Sequence, residues 1–387
     1  MVDFERIENA SDLASLARHL AAEPVVAIDT EADSFYHYFD KTCLVQIGTP
    51  KRIFLVDPLA LGGPANLAPL GPLFASKKVR KIFHAGEYDL FVLKRDCGFR
   101  FANLFDTMIC AQLLGYPSVG LAALAERHFG VRLPKDEQRS DWSSRPLRES
   151  QLTYAAADVT HLIPLAERLE PELRRASRWE WALEEFETLT HREWPEREFD
   201  KLGYLRIKGA RALDPEALAI LRELYWMRDR RARQADRPPF KILGNRTLLE
   251  VAQQAPESDA DLGKIKGMTE LMLRRLARDV IGAVVRGKKR KHGPVPRGDG
   301  SGRRRMDRPT ERRLAALKSW RAERARELAL DPGVLCPNTA LEAMATRNPA
   351  RAEELRELPG LKGWFVREFG REIVKELAAT PAESPED

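Results

Sequence analysis

The C-terminal half of the sequence contains an internal repeat, which restricts the folds that this half can adopt. Asn245 recurs as Asn338, 93 positions later, and further matches keep the same offset without any gap. Both copies carry apolar residues at helical spacing, and two copies are too few to form a stable solenoid. We therefore predict two separate all-α bundles, each with its own core, over residues 210–287 and 310–380.

Residues 1–200 differ from this repeat because short apolar strands precede most of their helical patterns. Helical periodicity dominates from residue 87 onward and includes residues 104–114. Strands followed by helices, with partial alternation, are typical of a mixed sheet flanked by helices. We therefore predict an α/β mixed-sheet domain with a connector at its end. The strand-like runs are residues 25–28, 43–47, 53–56 and 79–83.

Charge is distributed unevenly along the chain. Residues 1–200 carry a net charge of −7, whereas residues 201–285 carry +6 and residues 286–313 carry +9. Residues 288–309 are rich in glycine, proline and basic side chains, which is typical of a flexible linker. A basic middle segment of this kind indicates binding to a polyanion such as nucleic acid.

Several protein classes are excluded at this stage. No apolar run approaches the roughly 18 residues that a membrane span requires. The start of the chain is acidic and does not resemble a secretory leader. The four cysteines form no CxxC pair, so we interpret them as buried thiols rather than as disulfides or zinc ligands. We expect a cytoplasmic monomer.

The first acidic motif is Asp29-Thr30-Glu31, which follows the apolar run of residues 25–28. Residues i and i+2 of a strand point to the same face, so the Asp29 and Glu31 carboxylates project together from a rigid element. Adjacent like charges are costly unless a cation lies between them. The motif therefore predicts a metal site, and the alternative interpretation is a solvated acidic turn.

Further polar groups follow in the chain. Asp89 lies about one turn into a predicted helix, where the helix dipole alone could account for it. Tyr154 and Asp158 are four positions apart on another helix, so they share a face, unless they are simply a buried tyrosine and a surface aspartate. We interpret Asp106 as a helix cap. His84 is either a structural histidine or a group that supports the site.

Asp29 with Glu31 is the first of three motifs, Asp89 is the second, and Tyr154 with Asp158 is the third. In this order, they resemble the tyrosine-containing branch of the DEDD exonuclease superfamily. Phe105-Asp106-Thr107-Met108, Ser140-Asp141-Trp142 and Arg145-Pro146-Leu147, with Gln151 before Tyr154, narrow the resemblance to ribonuclease D. The two repeats resemble HRDC domains, so the resemblance covers nearly the whole chain. It implies a ribonuclease H-like exonuclease domain over residues 1–200, followed by two HRDC-like bundles.

The resemblance also implies a role for each motif residue. Asp29, Glu31 and Asp158 would hold one Mg²⁺ or Mn²⁺, and Asp29 would contact a second ion with help from Asp89. Two such ions clamp the attacking and leaving oxygens of an in-line phosphoryl displacement, while Tyr154 would orient the attacking water. The implied substrate is RNA with a free 3′ end, by kinship a tRNA precursor, and the product is a nucleoside 5′-monophosphate.

The basic middle of the chain is the predicted source of RNA affinity, since residues 1–200 are acidic. The aromatic side chains near Trp226 are interpreted as core rather than as base-stacking groups, and a solvated basic face remains an alternative. The candidate RNA contacts are His84, Arg228, Arg231, Lys241, Lys288, Lys289, Arg290 and Lys291.

Two other functions remain open from the residues. A DNA-directed 3′–5′ exonuclease would share the same metal motifs, because none of them reads the 2′-hydroxyl. A non-catalytic RNA-binding scaffold would keep the fold without the reaction. A helicase-type phosphate loop at Gly282–Lys288 is excluded, because Lys289 occupies the position where serine or threonine would bind Mg²⁺.

Overall fold

The N-terminal domain is built on a six-stranded mixed sheet, as predicted. The strands are β1 Glu5–Ile7, β2 Val25–Ala32, β3 Thr42–Gly48, β4 Ile53–Val56, β5 Arg80–Phe83 and β6 Leu104–Asp106. Their order is β1-β4-β3-β2-β5-β6, with β3 antiparallel to β2 and β4, and β5 parallel to β2 and β6. This computed structural model describes residues 3–195, 198–290 and 306–380.

Helices pack on this sheet and bury its central strands, which accounts for their nearly continuous apolar sequences. Shorter 3₁₀ segments connect some of these elements, the longest being Pro64–Leu70. The helices of this domain are α1 Ala10–Leu20, α2 Gly71–Ala75, α3 Glu87–Cys97, α4 Thr107–Leu113, α5 Leu121–Phe129, α6 Glu149–Thr160, α7 Leu162–Arg175 and α8 Trp179–His191.

Two segments differ from the sequence-based expectations. β2 continues through the first acidic motif to Ala32, because β3 pairs with it along this length. Asp29 and Glu31 therefore lie inside the strand, as the argument that they share one face requires. Leu104–Asp106 forms strand β6 and not the start of a helix, because its pairing with β5 overrides the local helical periodicity.

The repeat region consists of helices whose starts keep the offset seen in the sequence. α9 and α14 begin 93 positions apart, and so do α10 and α15, α11 and α16, and α13 and α17. The first copy contains α9 Pro215–Gln234, α10 Pro239–Ile242, α11 Asn245–Gln254, α12 Asp259–Gly263 and α13 Glu270–Lys289. The second contains α14 Arg308–Glu327, α15 Pro332–Leu335, α16 Asn338–Arg347 and α17 Gly363–Ala379.

The chain forms two compact units that are not contiguous in sequence. The first unit comprises Met1–Ala32, Thr42–Trp194 and Arg304–Asp387, and the second comprises Asp33–Lys41 and Pro195–Arg303. The connection between β2 and β3 therefore belongs to the second unit. The second helical copy belongs to the first unit, together with the sheet.

The two helical copies differ in how they are packed. The first copy has its own core, which includes Leu224 and Leu248. The buried side chains of the second copy, Trp364 among them, belong to the same apolar cluster as the core of the sheet domain. Trp364 stacks on Trp181 of α8, with ring centroids 4.3 Å apart and planes at 12°. The prediction of a separate core is therefore wrong for the second copy.

The segment between the two copies only partly matches the predicted linker. α13 extends to Lys289, so Lys288 and Lys289 are helical, and α14 begins at Arg308. Residues 291–305, with most of the predicted linker, lie outside the described residues. Among the helices that the structure describes, none has the length and apolar character that a membrane crossing requires.

Candidate active site

Two acids of the candidate site project from β2. Asp29 lies directly opposite Gln46 on β3, and Glu31 lies opposite Leu44. Both carboxylates point to one face of the sheet, since they are two positions apart in a strand. A register shift follows at Glu31/Ala32, after which β2 ends. The sheet therefore holds both side chains on a rigid, well-paired element.

Helix α6 brings a third acid and a phenol to the same place. This helix packs across β2, β3 and β4, and its buried residues include Tyr154 and the alanines at positions 155–157. One carboxylate oxygen each of Asp29, Glu31 and Asp158 lie within 4.8 Å of one another. The Asp158 carboxylate lies close enough to the Tyr154 hydroxyl for each group to shift the pKa of the other. The spacing of four positions thus places both groups at the acid cluster.

Asp89 joins the cluster from the first turn of α3, where it is buried. Thr30 Oγ1 donates a hydrogen bond to Asp89 Oδ1 at 2.5 Å. The negative charge of Asp89 raises the pKa of Asp29, Glu31 and Asp158, so it lies close enough to interact with all three. The structure therefore brings together all five motif residues that the sequence singled out.

The four acids carry the electrostatic signature of a cation site. Burial, followed by the charges of neighbouring carboxylates, raises the pKa of Asp29 and of Glu31 well above ordinary values. Burial raises the pKa of Asp89 to about 6 and that of Asp158 to about 7. A divalent cation would offset this repulsion, and carboxylate oxygens are the ligands that hard cations prefer. The donor set therefore fits Mg²⁺ or Mn²⁺.

Tyr154 is poorly suited to act as a general base. Burial and the neighbouring Asp158, Glu31 and Asp29 raise the pKa of its phenol above the ordinary value. The hydroxyl therefore stays protonated at neutral pH and can donate or accept a hydrogen bond. This state suits a group that positions a water molecule.

Asp106 lies near the cluster but is used in another way. Its side chain accepts hydrogen bonds from the backbone N–H groups of Met108 and Ile109 at the start of α4. It also accepts from Ala85 and Gly86, in the turn that precedes α3. The interpretation of Asp106 as a helix cap is confirmed, and the residue also fixes the turn that leads to Asp89.

His84 is a hydrogen-bonded structural histidine. Its Nδ1 lies 2.9 Å from Thr107 Oγ1. Burial lowers the pKa of His84 to about 4, so the ring is neutral at pH 7. A neutral ring supplies no charge for a phosphate, and the assignment of His84 as an RNA contact stays a prediction.

The predicted RNA contacts of the first helical copy are partly engaged in packing. Arg228 is only 6% exposed, and its guanidinium donates to the Leu243 carbonyl at 2.9 Å and to Asn245 Oδ1 at 2.7 Å. Its assignment as a phosphate contact is therefore wrong, because the side chain holds α9 against the next helices. Arg231 is half-exposed and ion-paired with Asp279.

The remaining basic candidates lie at the surface. Lys241 Nζ is 3.7 Å from the centre of the Tyr36 ring. At the end of α13, Lys288 pairs with Glu257 at 2.6 Å and Arg290 with the buried Glu223 at 3.3 Å. Lys288, Lys289 and Arg290 are all exposed. Lys291 lies outside the described residues. RNA binding by the exposed end of α13 therefore remains a proposal.

Sequence reasoning missed two residues at the site. Thr30, which lies inside the first motif, anchors Asp89, and its polar side chain was an available signal. Gln46 lies beside Asp29 only because of the β2–β3 register. No local pattern in the sequence reveals that register, so Gln46 could not have been found without the structure.

Comparison with known proteins identifies the family. The family model of 3′–5′ exonucleases matches residues 4–174, and that of the HRDC domain matches residues 217–284 and 310–377. Ribonuclease D of Acidiphilium cryptum is 32% identical over 378 residues, covering 95% of this chain and 92% of that protein. The chain belongs to the ribonuclease D family. Ribonuclease D of Gluconacetobacter diazotrophicus is also 32% identical, over 95% of this chain and 91% of its own.

Among solved structures, the chain resembles Escherichia coli RNase D, which is described as an exoribonuclease involved in structured RNA processing. The TM-score is 0.71 at 26% identity, covering 98% of this chain and 100% of that one. The predicted family, the fold of an exonuclease domain followed by HRDC bundles, and the enzyme class of 3′–5′ exonucleases of the ribonuclease D type are confirmed.

Proposed function

We propose that this member of the family hydrolyses RNA from its 3′ end, one nucleotide at a time, and releases nucleoside 5′-monophosphates. The observation that carries the proposal is the cluster of Asp29, Glu31 and Asp158, whose carboxylate oxygens lie within 4.8 Å. Asp89 and Tyr154 complete it from α3 and α6. Precursors of tRNA with extra 3′ nucleotides are the proposed natural substrates.

The four acids are proposed to hold two divalent ions. Asp29, Glu31 and Asp158 would bind the first ion, and Asp29 with Asp89 would bind the second. When bound, such ions lower the pKa of water and offset negative charge on a phosphate. Mg²⁺ usually keeps several waters and binds through few carboxylates, which suits a small cluster that must also admit substrate.

The other side chains of the site orient the water and hold Asp89 in place. Tyr154 is buried on α6 with Asp158 beside it, so its hydroxyl can fix the orientation of a water beside the scissile phosphate. Thr30 fixes Asp89. The turn before α3 is fixed in its place by Asp106. The site therefore relies on orientation and charge rather than on a strong protein base.

RNA affinity is proposed to come from the basic middle of the chain. Residues 201–285 and 286–313 carry +6 and +9, whereas the catalytic half carries −7. Lys289 and Arg290 at the exposed end of α13, together with Lys241, are the described candidates. Neutralising phosphates with such side chains releases counterions, so affinity should fall steeply with salt.

A cytoplasmic monomer remains part of the proposal. No disulfide joins the four cysteines, all of which lie in the described part of the chain, and Cys43, Cys110 and Cys336 are buried. Burial raises the pKa of Cys97 and of Cys336 to about 12, so these thiols are poor nucleophiles. A chain of this kind is compatible with a reducing compartment.

The decisive test is digestion of RNA labelled at either the 3′ or the 5′ end, with and without Mg²⁺. We expect stepwise shortening from the 3′ end that requires the ion and stops in an Asp29→Asn variant. Matched single-stranded DNA tests the alternative of a DNA-directed exonuclease, which would degrade the DNA at least as fast as the RNA. Internal cuts would contradict the exonuclease, and RNA binding without Mg²⁺-dependent cleavage would favour the scaffold alternative.

A further inference from the structure

Gln46 lies beside Asp29 on the sheet, although neither the motifs nor the proposed mechanism uses it. It is directly opposite Asp29 in the antiparallel β2–β3 pair, and opposite residues of such a pair share one face of the sheet. On its other side it faces Leu55 of β4. Leu55 packs in one cluster with Tyr154 of α6, so the face that carries Gln46 is the face that α6 covers.

The side chain of Gln46 is fully buried and lacks hydrogen-bond partners. It is 0% exposed, and within the described part of the chain neither Nε2 nor Oε1 has a partner. Leaving a buried amide unsatisfied costs free energy, so such groups normally bond to protein or to water. Gln151, another buried glutamine of this domain, donates to Ser140 and accepts from the Arg148 backbone.

We propose that Gln46 is a positioning residue for Asp29. In the ion-loaded site its Nε2 donates a hydrogen bond to the Asp29 carboxylate, directly or through one water, and so fixes the orientation of this ligand. Groups that orient a metal ligand in this way typically change metal affinity by roughly 10- to 100-fold. The inference rests on the proposed function, because it assigns Gln46 to the same ion site.

The test uses a Gln46→Met variant of the full chain, which keeps the length of the side chain and removes its polar atoms. Without metal, we expect the melting temperature to be unchanged or higher, because an unsatisfied amide has been removed. The Mg²⁺ concentration for half-maximal hydrolysis should rise by roughly 10-fold or more, and the Mg²⁺-induced increase in melting temperature should shrink. Leu55→Met, directly across on β4, is the matched control.

The outcomes separate the two proposals. If Gln46→Met matches the wild type in Mg²⁺ dependence and in the Mg²⁺-induced shift, Gln46 does not position Asp29. Strong destabilisation of the metal-free variant would contradict the inference as well, because the amide would then serve the fold alone. If the wild type shows neither hydrolysis nor a Mg²⁺-induced shift, the proposed function itself fails.

A second inference concerns the connection between β2 and β3, which is held by the first HRDC bundle within the second unit. Asp236, just after α9, accepts hydrogen bonds from the backbone N–H groups of Tyr38 and Phe39, both at 3.0 Å. His37 Nδ1 donates to the same carboxylate at 2.7 Å. Tyr38 donates to Asp229 at 2.8 Å. The connection is thus fixed on the bundle.

This connection and the helices that support it expose several aromatic rings. Phe35, Phe39 and Phe240 are 47%, 53% and 56% exposed. The Arg233 guanidinium lies 5.6 Å from the centre of the Phe39 ring. Lys241, next to Phe240, lies over the ring of Tyr36. Exposed apolar rings are costly in water, and rings interleaved with cations suit unpaired nucleic-acid bases.

We infer that this aromatic–basic surface stacks unpaired bases of the RNA substrate, with the cations of the surface binding its phosphates. The test measures binding of single-stranded RNA in an Asp29→Asn background. The Phe39→Ala/Phe240→Ala variant should bind roughly 10-fold more weakly or worse, whereas Leu271→Ala, which changes another exposed side chain of this unit, should bind normally. Unchanged RNA affinity would overturn the inference, and so would a change in oligomeric state instead of affinity, which would indicate a protein interface.

Discussion

At the scale of single residues, Asp158 lies next to both the other acids of the site and Tyr154. It completes the carboxylate cluster with Asp29 and Glu31, and its charge raises the pKa of Tyr154 beside it. The helical spacing of Tyr154 and Asp158 was sufficient to predict that they share a face. Their distance from β2 was not predictable, because it depends on how closely the alanines at 155–157 let α6 approach the sheet.

Replacing Tyr154 with phenylalanine separates the positioning of water from the binding of ions. We expect kcat to fall by roughly 100-fold, as for other positioned proton-transfer and orienting groups, while the Mg²⁺-induced rise in melting temperature persists. The comparison is with Tyr204→Phe, a buried tyrosine of the second unit, which should retain activity. A Tyr154→Phe enzyme with normal kcat would show that the hydroxyl does not orient the water.

The acid cluster predicts how stability depends on pH when metal is removed. Burial raises the pKa of Asp89 to about 6 and of Asp158 to about 7, from the ordinary 3.8. The folded state therefore binds these protons more tightly than the unfolded state. Their contribution to stability is complete below about pH 4 and is lost as pH rises through 6 to 7.

We therefore expect the free energy of unfolding in EDTA to fall between about pH 4 and pH 7 more steeply in the wild type than in Asp158→Asn. Urea titrations at several pH values measure this difference, and added Mg²⁺ should restore the stability of the wild type at neutral pH. Equal slopes for the two proteins would mean that Asp158 is not protonated in the metal-free fold.

At the scale of elements, the docking of α17 on α8 distinguishes the two repeats. Trp364 is 0% exposed, whereas Leu271, its counterpart 93 positions earlier, is 57% exposed. The Trp364 indole N–H donates to Glu185 at 2.8 Å, and its backbone N–H donates to Glu184 at 2.9 Å. The two helices differ at most positions, and this one changes from a solvated leucine in the first copy to a packed tryptophan in the second.

Trp364→Ala should destabilise the first unit by about 3–5 kcal/mol, the range for removing a buried tryptophan from a core. Chemical unfolding followed by circular dichroism measures the loss. The equivalent substitution Leu271→Ala should change stability by less than about 0.5 kcal/mol, because the side chain is exposed. Similar effects at both positions would show that the α8–α17 packing contributes little.

The elements also show where sequence reasoning succeeds and fails. The helices of the repeat were predictable, because two independent copies show the same periodicity and register. Leu104–Asp106 was misread as helical, because a three-residue strand is too short to show alternation and forms through its pairing with β5. The packing of the second copy was not predictable, because it depends on contacts such as that of Trp181 with Trp364 rather than on the pattern of the copy.

At the scale of the whole molecule, opposite charges occupy different parts of the sequence. This separation predicts that RNA affinity falls with salt whereas kcat does not. Lys289→Ser/Arg290→Ser should weaken RNA binding and reduce the slope of log affinity against log salt by about 0.7 for each lost phosphate contact. kcat should stay unchanged. The control variant Lys77→Ser/Lys78→Ser removes the same charge from exposed positions of the sheet domain and should leave RNA affinity intact. Equal losses of RNA affinity in both variants would contradict a localised RNA surface.

The noncontiguous composition of the first unit has a consequence for biosynthesis. Its apolar cluster includes side chains of α8 and of α17, and α17 ends at Ala379, after the whole first HRDC bundle has been made. A nascent chain can therefore bury Trp181 against Trp364 only after α17 has left the ribosome. Until then the ribosome-bound nuclease carries an uncovered apolar surface on α8, so a helix made long after the sheet finishes the packing of the first unit.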